Sequence, residues 1–71
     1  MSSKWISVED KLPPSCELVL CRGKRGAYFL GYISYIDYNK VLEDAIKNKV
    51  LCMKQLGRIG IRKAVIWTAL P

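Results

Sequence analysis

A small α+β domain, with an antiparallel sheet and one amphipathic helix in the order β-β-α-β, is the fold class this sequence predicts. Three observations predict it. Two apolar runs, ELVLCR and AYFLGYISYI, flank a glycine-bounded GKRG. A stretch with helical periodicity follows over residues 40–56, and an apolar run, IRKAVIWTAL, comes last. The 71 residues are read as one domain, 1–71, because a second would ask for about 100 more. At this size only roughly 60% of the unfolded surface is buried, so each large apolar side chain is a sizeable share of the core.

VEDKLPPSC reads as a rigid, non-helical lead-in. Pro13 and Pro14 remove two backbone donors and push Leu12 towards extended geometry. Residues 17–22 are short and apolar on both faces, a first strand. Gly23 and Gly26 supply permissive dihedrals at either end of a turn, and Lys24 and Arg25 keep its tip in water. Residues 27–36 form the longest strand and complete a β-hairpin. Gly31 within it marks a bend, a bulge or a close approach by another group.

The helix is expected over 40–56, capped by Asn39 and stopped by Gly57. At about 100° per residue, Val41, Leu42, Ala45, Ile46, Cys52, Met53 and Leu56 share one arc. Lys40, Glu43, Asp44, Lys47, Asn48, Lys54 and Gln55 share the other. A strand over 49–55 competes, because Val50 to Met53 are consecutively apolar; the helix is preferred. A final strand, 61–70, carries Trp67. Trp5 and Trp67 stand near the two ends of the chain. Each indole buries on the order of 150–250 Å², so both are expected to be buried anchors that clasp the ends to the core. A stacking platform for bases is the functional alternative.

Charge is the most informative quantity. The net charge is +6, and residues 45–71 hold six cations and no acid while the first 44 residues balance. Such asymmetry steers an anionic partner towards the molecule. The candidate contacts are Lys24, Arg25, Lys47, Lys54, Arg58, Arg62 and Lys63. Lys40, Lys47 and Lys54 recur every seven residues along the predicted solvent face of the helix. GRIG, residues 57–60, has the G-x-x-G form that clamps a nucleic-acid backbone in KH domains, but there it joins two helices and here a helix and a strand, so a helix stop and turn is the favoured reading.

No catalytic set is visible. Histidine, the commonest general base, is absent, and the acids near the helix start read as dipole partners. Cys16, Cys21 and Cys52 lack the paired spacing of a zinc site and the density of a disulfide scaffold. They are expected to be free, inert thiols, Cys52 the most buried on the helix arc. Neither a metal nor a cofactor is expected. The opening residues carry no apolar leader, and no apolar run approaches the 20 or so residues that cross a bilayer. A cytoplasmic protein with no membrane partner is expected. The apolar, two-faced second strand invites burial of an edge by homodimerisation.

WISVEDKLP, from Trp5 to Pro13, followed by a VLC strand, a GYI strand and a terminal W-x-x-L-P, resembles a family of bacterial, phage and prophage domains, the domain of unknown function 551. The opening motif W-I-S-V-x-D-x-L-P is matched throughout. Near the end this chain has Ile66 and Ala69 where the family usually has histidine and proline. About a third of the residues, at the two ends, carry the likeness. The resemblance implies a small β-rich scaffold and a phage or mobile-element origin; it brings no activity with it. Together these readings lead to a non-catalytic interaction module that binds a host or phage macromolecule with an acidic surface, a protein ahead of nucleic acid.

Overall fold

The computed structural model describes residues 4–71. The fold is α+β: one helix and a six-stranded antiparallel sheet. The chain runs β1 (Ile6–Ser7), β2 (Val19–Arg22), β3 (Tyr28–Tyr32), α1 (Tyr38–Asn48), β4 (Leu51–Gln55), β5 (Ile61–Ala64) and β6 (Ile66–Ala69). In space the strand order is β1-β6-β2-β3-β4-β5. The class is as expected, and the element order is richer than β-β-α-β.

The sheet cannot be flat. β5 and β6 are joined by Val65 alone, so their facing ends lie no more than about 8 Å apart. Four strand spacings of about 4.8 Å would separate them in an open sheet. The sheet must therefore coil until β5 meets the β2–β6 region. The bond from Val65 N–H to the Arg22 carbonyl, 2.9 Å, marks that meeting. Residues 61–70, expected as one strand, are thus one strand bent at Val65 and pairing with β4 before the bend and β2 after it.

The helix is shorter than its periodicity suggested. It ends at Asn48, and Lys49 adopts a left-handed conformation (φ 61°). Its cap is Asp37, whose carboxylate accepts from Lys40 N–H at 3.1 Å, in place of Asn39. Residues 51–55 take the competing strand. Leu51 and Met53 point inward while Cys52 and Lys54 face out, a period of two that a helix would have spoiled. Within α1 the predicted arc holds: Ala45 is buried, Val41 and Leu42 pack on the core, and Lys40, Glu43, Asp44 and Lys47 are exposed. Ile46 departs from it and is exposed.

The core is Val8, Leu12, Val19, Cys21, Ala45, Leu51, Met53, Ala64 and Trp67. Three aromatic side chains fasten the lead-in to it through their polar ends. Trp67 Nε1 donates to the Lys11 carbonyl at 2.9 Å. Leu12 N–H donates to the Tyr38 hydroxyl at 3.2 Å. The Tyr35 hydroxyl donates to the Pro13 carbonyl at 2.8 Å. With β1 paired to β6, Ile6 opposite Trp67, the two ends of the chain are clasped. The anchoring differs from expectation in one residue. Trp67 is 4% exposed, but Trp5 is 37% exposed. Ile6 faces inward beside Trp67, so strand alternation turns Trp5 to the outer face.

Candidate anion-binding face

The hairpin of β2 and β3 turns through Gly23–Ala27, closed by Gly23 N–H to the Ala27 carbonyl at 2.9 Å. Its register sets Arg22 opposite Tyr28 on the outer face. The Arg22 guanidinium lies 5.5 Å from the Tyr28 ring centroid, within range of a cation–π contact. On the same face Trp5 meets Tyr28, the ring centroids 5.8 Å apart and the planes tilted by 41°. Tyr28 is 59% exposed.

Two clefts flank the turn. One, about 280 Å³, is lined by Arg22, Lys24, Arg25, Val65 and Ile66 among others. The other, about 200 Å³, is lined by Lys24, Arg25, Arg62 and Lys63 with Val50 and Ala27. The bend at Val65 is what brings these together, because it carries β5 and its cations back against the hairpin turn. Five cations from two distant stretches of sequence so converge around one turn. Arg62 is held in place by the Phe29 ring, 5.4 Å from its guanidinium carbon.

Of the seven predicted contacts, Lys24, Arg25, Arg62 and Lys63 gather here. Lys47, Lys54 and Arg58 line neither of these clefts. The stripe of Lys40, Lys47 and Lys54 does not exist, since the helix stops before Lys54, which sits on β4. Arg58 lies in the β4–β5 turn. Arg22 and Tyr28 were not among the predicted contacts. Their signal was a cation and an aromatic on either side of a glycine turn, legible only with the turn's length known.

All three cysteines are free, and Cys21 meets the expectation of an inert, buried thiol while Cys16 and Cys52 depart from it. Cys21 is buried and its thiol is pushed up to about 11 by desolvation. Cys52 is exposed on the outer side of β4, not buried on a helix. Cys16 is also exposed and has a left-handed backbone, φ 65°. Hydrogen bonding to the Ser34 hydroxyl, then to that of Ser15, with a smaller pull from the Lys54 ammonium, holds its thiol below the usual value. In the native state Cys16 is expected to react first with a maleimide or disulfide reagent, at lower pH than an ordinary thiol. Cys52 should follow, and Cys21 should react only on unfolding, because the thiolate is the nucleophile and must be reachable. Mass spectrometry of timed labelling checks the order; early modification of Cys21 is the contrary result.

Among the described residues no three His, Cys, Asp or Glu come together as metal ligands, and no helix is long and apolar enough to cross a membrane. No family model matches the chain, and no curated protein or solved structure matches it.

Proposed function

We propose that the protein is a non-catalytic interaction module that binds nucleic acid through the face around the β2–β3 turn. The observation that carries this reading is the convergence of Arg22, Lys24, Arg25, Arg62 and Lys63 on two clefts either side of one turn. Phosphates are the anions such a spread of cations suits, because a polyanion lays a row of charges across both clefts. The free thiols suit the reducing cytoplasm, and the terminal motifs support a phage or mobile-element origin.

A second reading, the acidic protein that the sequence put first, has its own observation. Trp, Tyr and Arg dominate the energetics of protein interfaces, and Trp5, Tyr28 and Arg22 adjoin half-buried Leu20, Leu30 and Ile66 on the outer face.

Binding of mixed single- and double-stranded DNA and RNA by fluorescence anisotropy, across a salt series, tests the assignment. If four cations each meet a phosphate, log K should fall against log salt with a slope of about −2.8 to −3.6, at 0.7 to 0.9 per contact. The variant Lys24→Glu with Arg25→Glu should lower affinity at least about tenfold and flatten that slope, its fold intact because both side chains are exposed. Unchanged affinity in that variant overturns the site. No binding to any nucleic acid, with nuclease-resistant capture of an acidic protein that the same variant loses, turns the reading to the second partner.

A further inference from the structure

We propose that the nucleic acid this face accepts is single-stranded, with bases stacking on Tyr28 and Trp5 while phosphates lie against Arg22, Lys24 and Arg25. This inference rests on the nucleic-acid reading above and names the form that the site selects.

Its basis is the placement of the ring pair. The clasp of the chain ends uses Trp67, buried and bonded to the Lys11 carbonyl. Trp5 is left on the outer face, with its ring against Tyr28 rather than in the core. A Trp–Tyr pair with this much open surface stands in the lead-in and at the first residue of β3, where small polar residues would expose less apolar area. The pair is also wired to the basic turn. Arg22 contacts the Tyr28 ring and lines the larger cleft, so one side chain joins the aromatic surface to the cations. Only Lys24 to Ala27, with Gly23, separate Arg22 from Tyr28 along the chain.

That adjacency discriminates between forms of nucleic acid. A duplex hides the faces of its bases within its own stack and offers a protein only edges and phosphates. A single strand offers bases that can turn onto an aromatic ring, each stack being sequence-tolerant because every base has a π-face. A ring pair beside cations therefore adds affinity for a single strand and none for a duplex. Stacking tolerates any base, so little sequence preference is expected.

The test uses a fluorescein-labelled oligothymidylate and a duplex of equal length made with its complement, against the whole chain. The single strand should bind at least about tenfold more tightly. Tyr28→Leu and Trp5→Leu keep apolar bulk on the sheet and should each cost about tenfold on the single strand, the loss of one base–aromatic stack, and less than twofold on the duplex. Oligothymidylate should also quench the emission of Trp5, measured in the Trp67→Phe background, where Trp5 is the remaining indole. If that background fails to fold, the affinities of the two leucine variants decide alone. Equal affinity for the two forms, lost in the Lys24→Glu, Arg25→Glu variant but unmoved by either leucine variant, overturns the single-strand inference and leaves the nucleic-acid reading standing. Failure of both forms to bind overturns both.

Discussion

Replacing Trp67 with alanine is expected to remove a large fraction of the protein's stability and, at the low end of what a domain of this size holds, to unfold it. Truncating a buried tryptophan costs about 3–5 kcal/mol. Small domains have about 0.05–0.15 kcal/mol of stability per residue to draw on, so a chain of 71 residues has about 4–11 kcal/mol, and that loss takes a large fraction of it. Trp67 joins three parts of the fold. It sits opposite Ile6 of β1 and Cys21 of β2, and its indole N–H holds the Lys11 carbonyl. Its removal empties the core and releases the lead-in whose Val8, Leu12 and Pro13 are buried. Trp67→Phe separates the two effects. It keeps a ring but deletes the donor, and should cost about 1 kcal/mol for the hydrogen bond plus a cavity term. Trp5→Ala should cost about 1 kcal/mol or less, since the residue is already partly in water. Urea unfolding followed by circular dichroism measures all three. Near-equal costs at Trp5 and Trp67 would show that the clasp does not rest on Trp67 alone.

That asymmetry explains how much of the fold and site could be read in the sequence. The hairpin, the polar face of the helix and the importance of the lead-in were legible, because each rests on local rules: glycines around a turn, a period of 3.6, prolines beside an apolar anchor. The end of the helix was not. Residues 49–56 carry apolar side chains that fit an arc at 100° nearly as well as alternation at 180°. The deciding factor is tertiary. β3 needs a partner, and Leu51 and Met53 fill the coiled sheet only if the segment is extended. Asp37 and Asn39 are both good caps, and the choice between them depends on where the preceding strand leaves the sheet. β3 ends at Tyr32 because Cys16 N–H takes the Ile33 carbonyl and Ser15 Oγ takes both polar groups of the Tyr35 backbone.

The site was half legible for the same reason. Lys24 and Arg25 announce themselves in a glycine turn. Arg62 and Lys63 stood out as cations, but their arrival beside that turn depends on the bend at Val65, which no local pattern marks. Arg22 and Tyr28 face each other because the loop is one residue longer than GKRG. With Ala27 in the loop, Tyr28 becomes the first paired residue of β3. The supposed helical stripe failed outright: a seven-residue spacing means a shared face only while the helix lasts, and Lys54 lies beyond its end.

Gly31→Ala is expected to destabilise by about 3 kcal/mol, the upper part of the range for overpacking a core by one carbon. The sequence reading allowed a bend, a bulge or a close approach at Gly31, and the close approach is what the fold contains. A Cβ there would lie 2.9 Å from the Lys54 carbonyl oxygen, 3.1 Å from Phe29 Cε2 and 3.3 Å from Met53 Cβ. The nearest of these is backbone, so no rotamer change relieves it. Either β3 or β4 must move. Their seam is short, held in register by Gly31 with Gln55 and Tyr32 with Lys54, and extended by Leu56 N–H to the Leu30 carbonyl. Since β4 carries β5, and β5 brings Arg62 and Lys63 to the hairpin turn, prying this seam apart should also weaken anion binding from a distance. Gly23→Ala is the matched control. Gly23 is buried too, but its Cβ would meet nothing closer than the Lys63 carbonyl oxygen at 3.4 Å, an ordinary contact, and its effect should stay within about 1 kcal/mol, as for an unstrained glycine-to-alanine change. The urea midpoint of Gly31→Ala should fall while that of Gly23→Ala holds, and hydrogen exchange at the Leu56 amide should quicken in the first alone. Equal midpoints for the two would mean that β3 and β4 are not pressed together at Gly31, and that the glycine serves the strand in some other way.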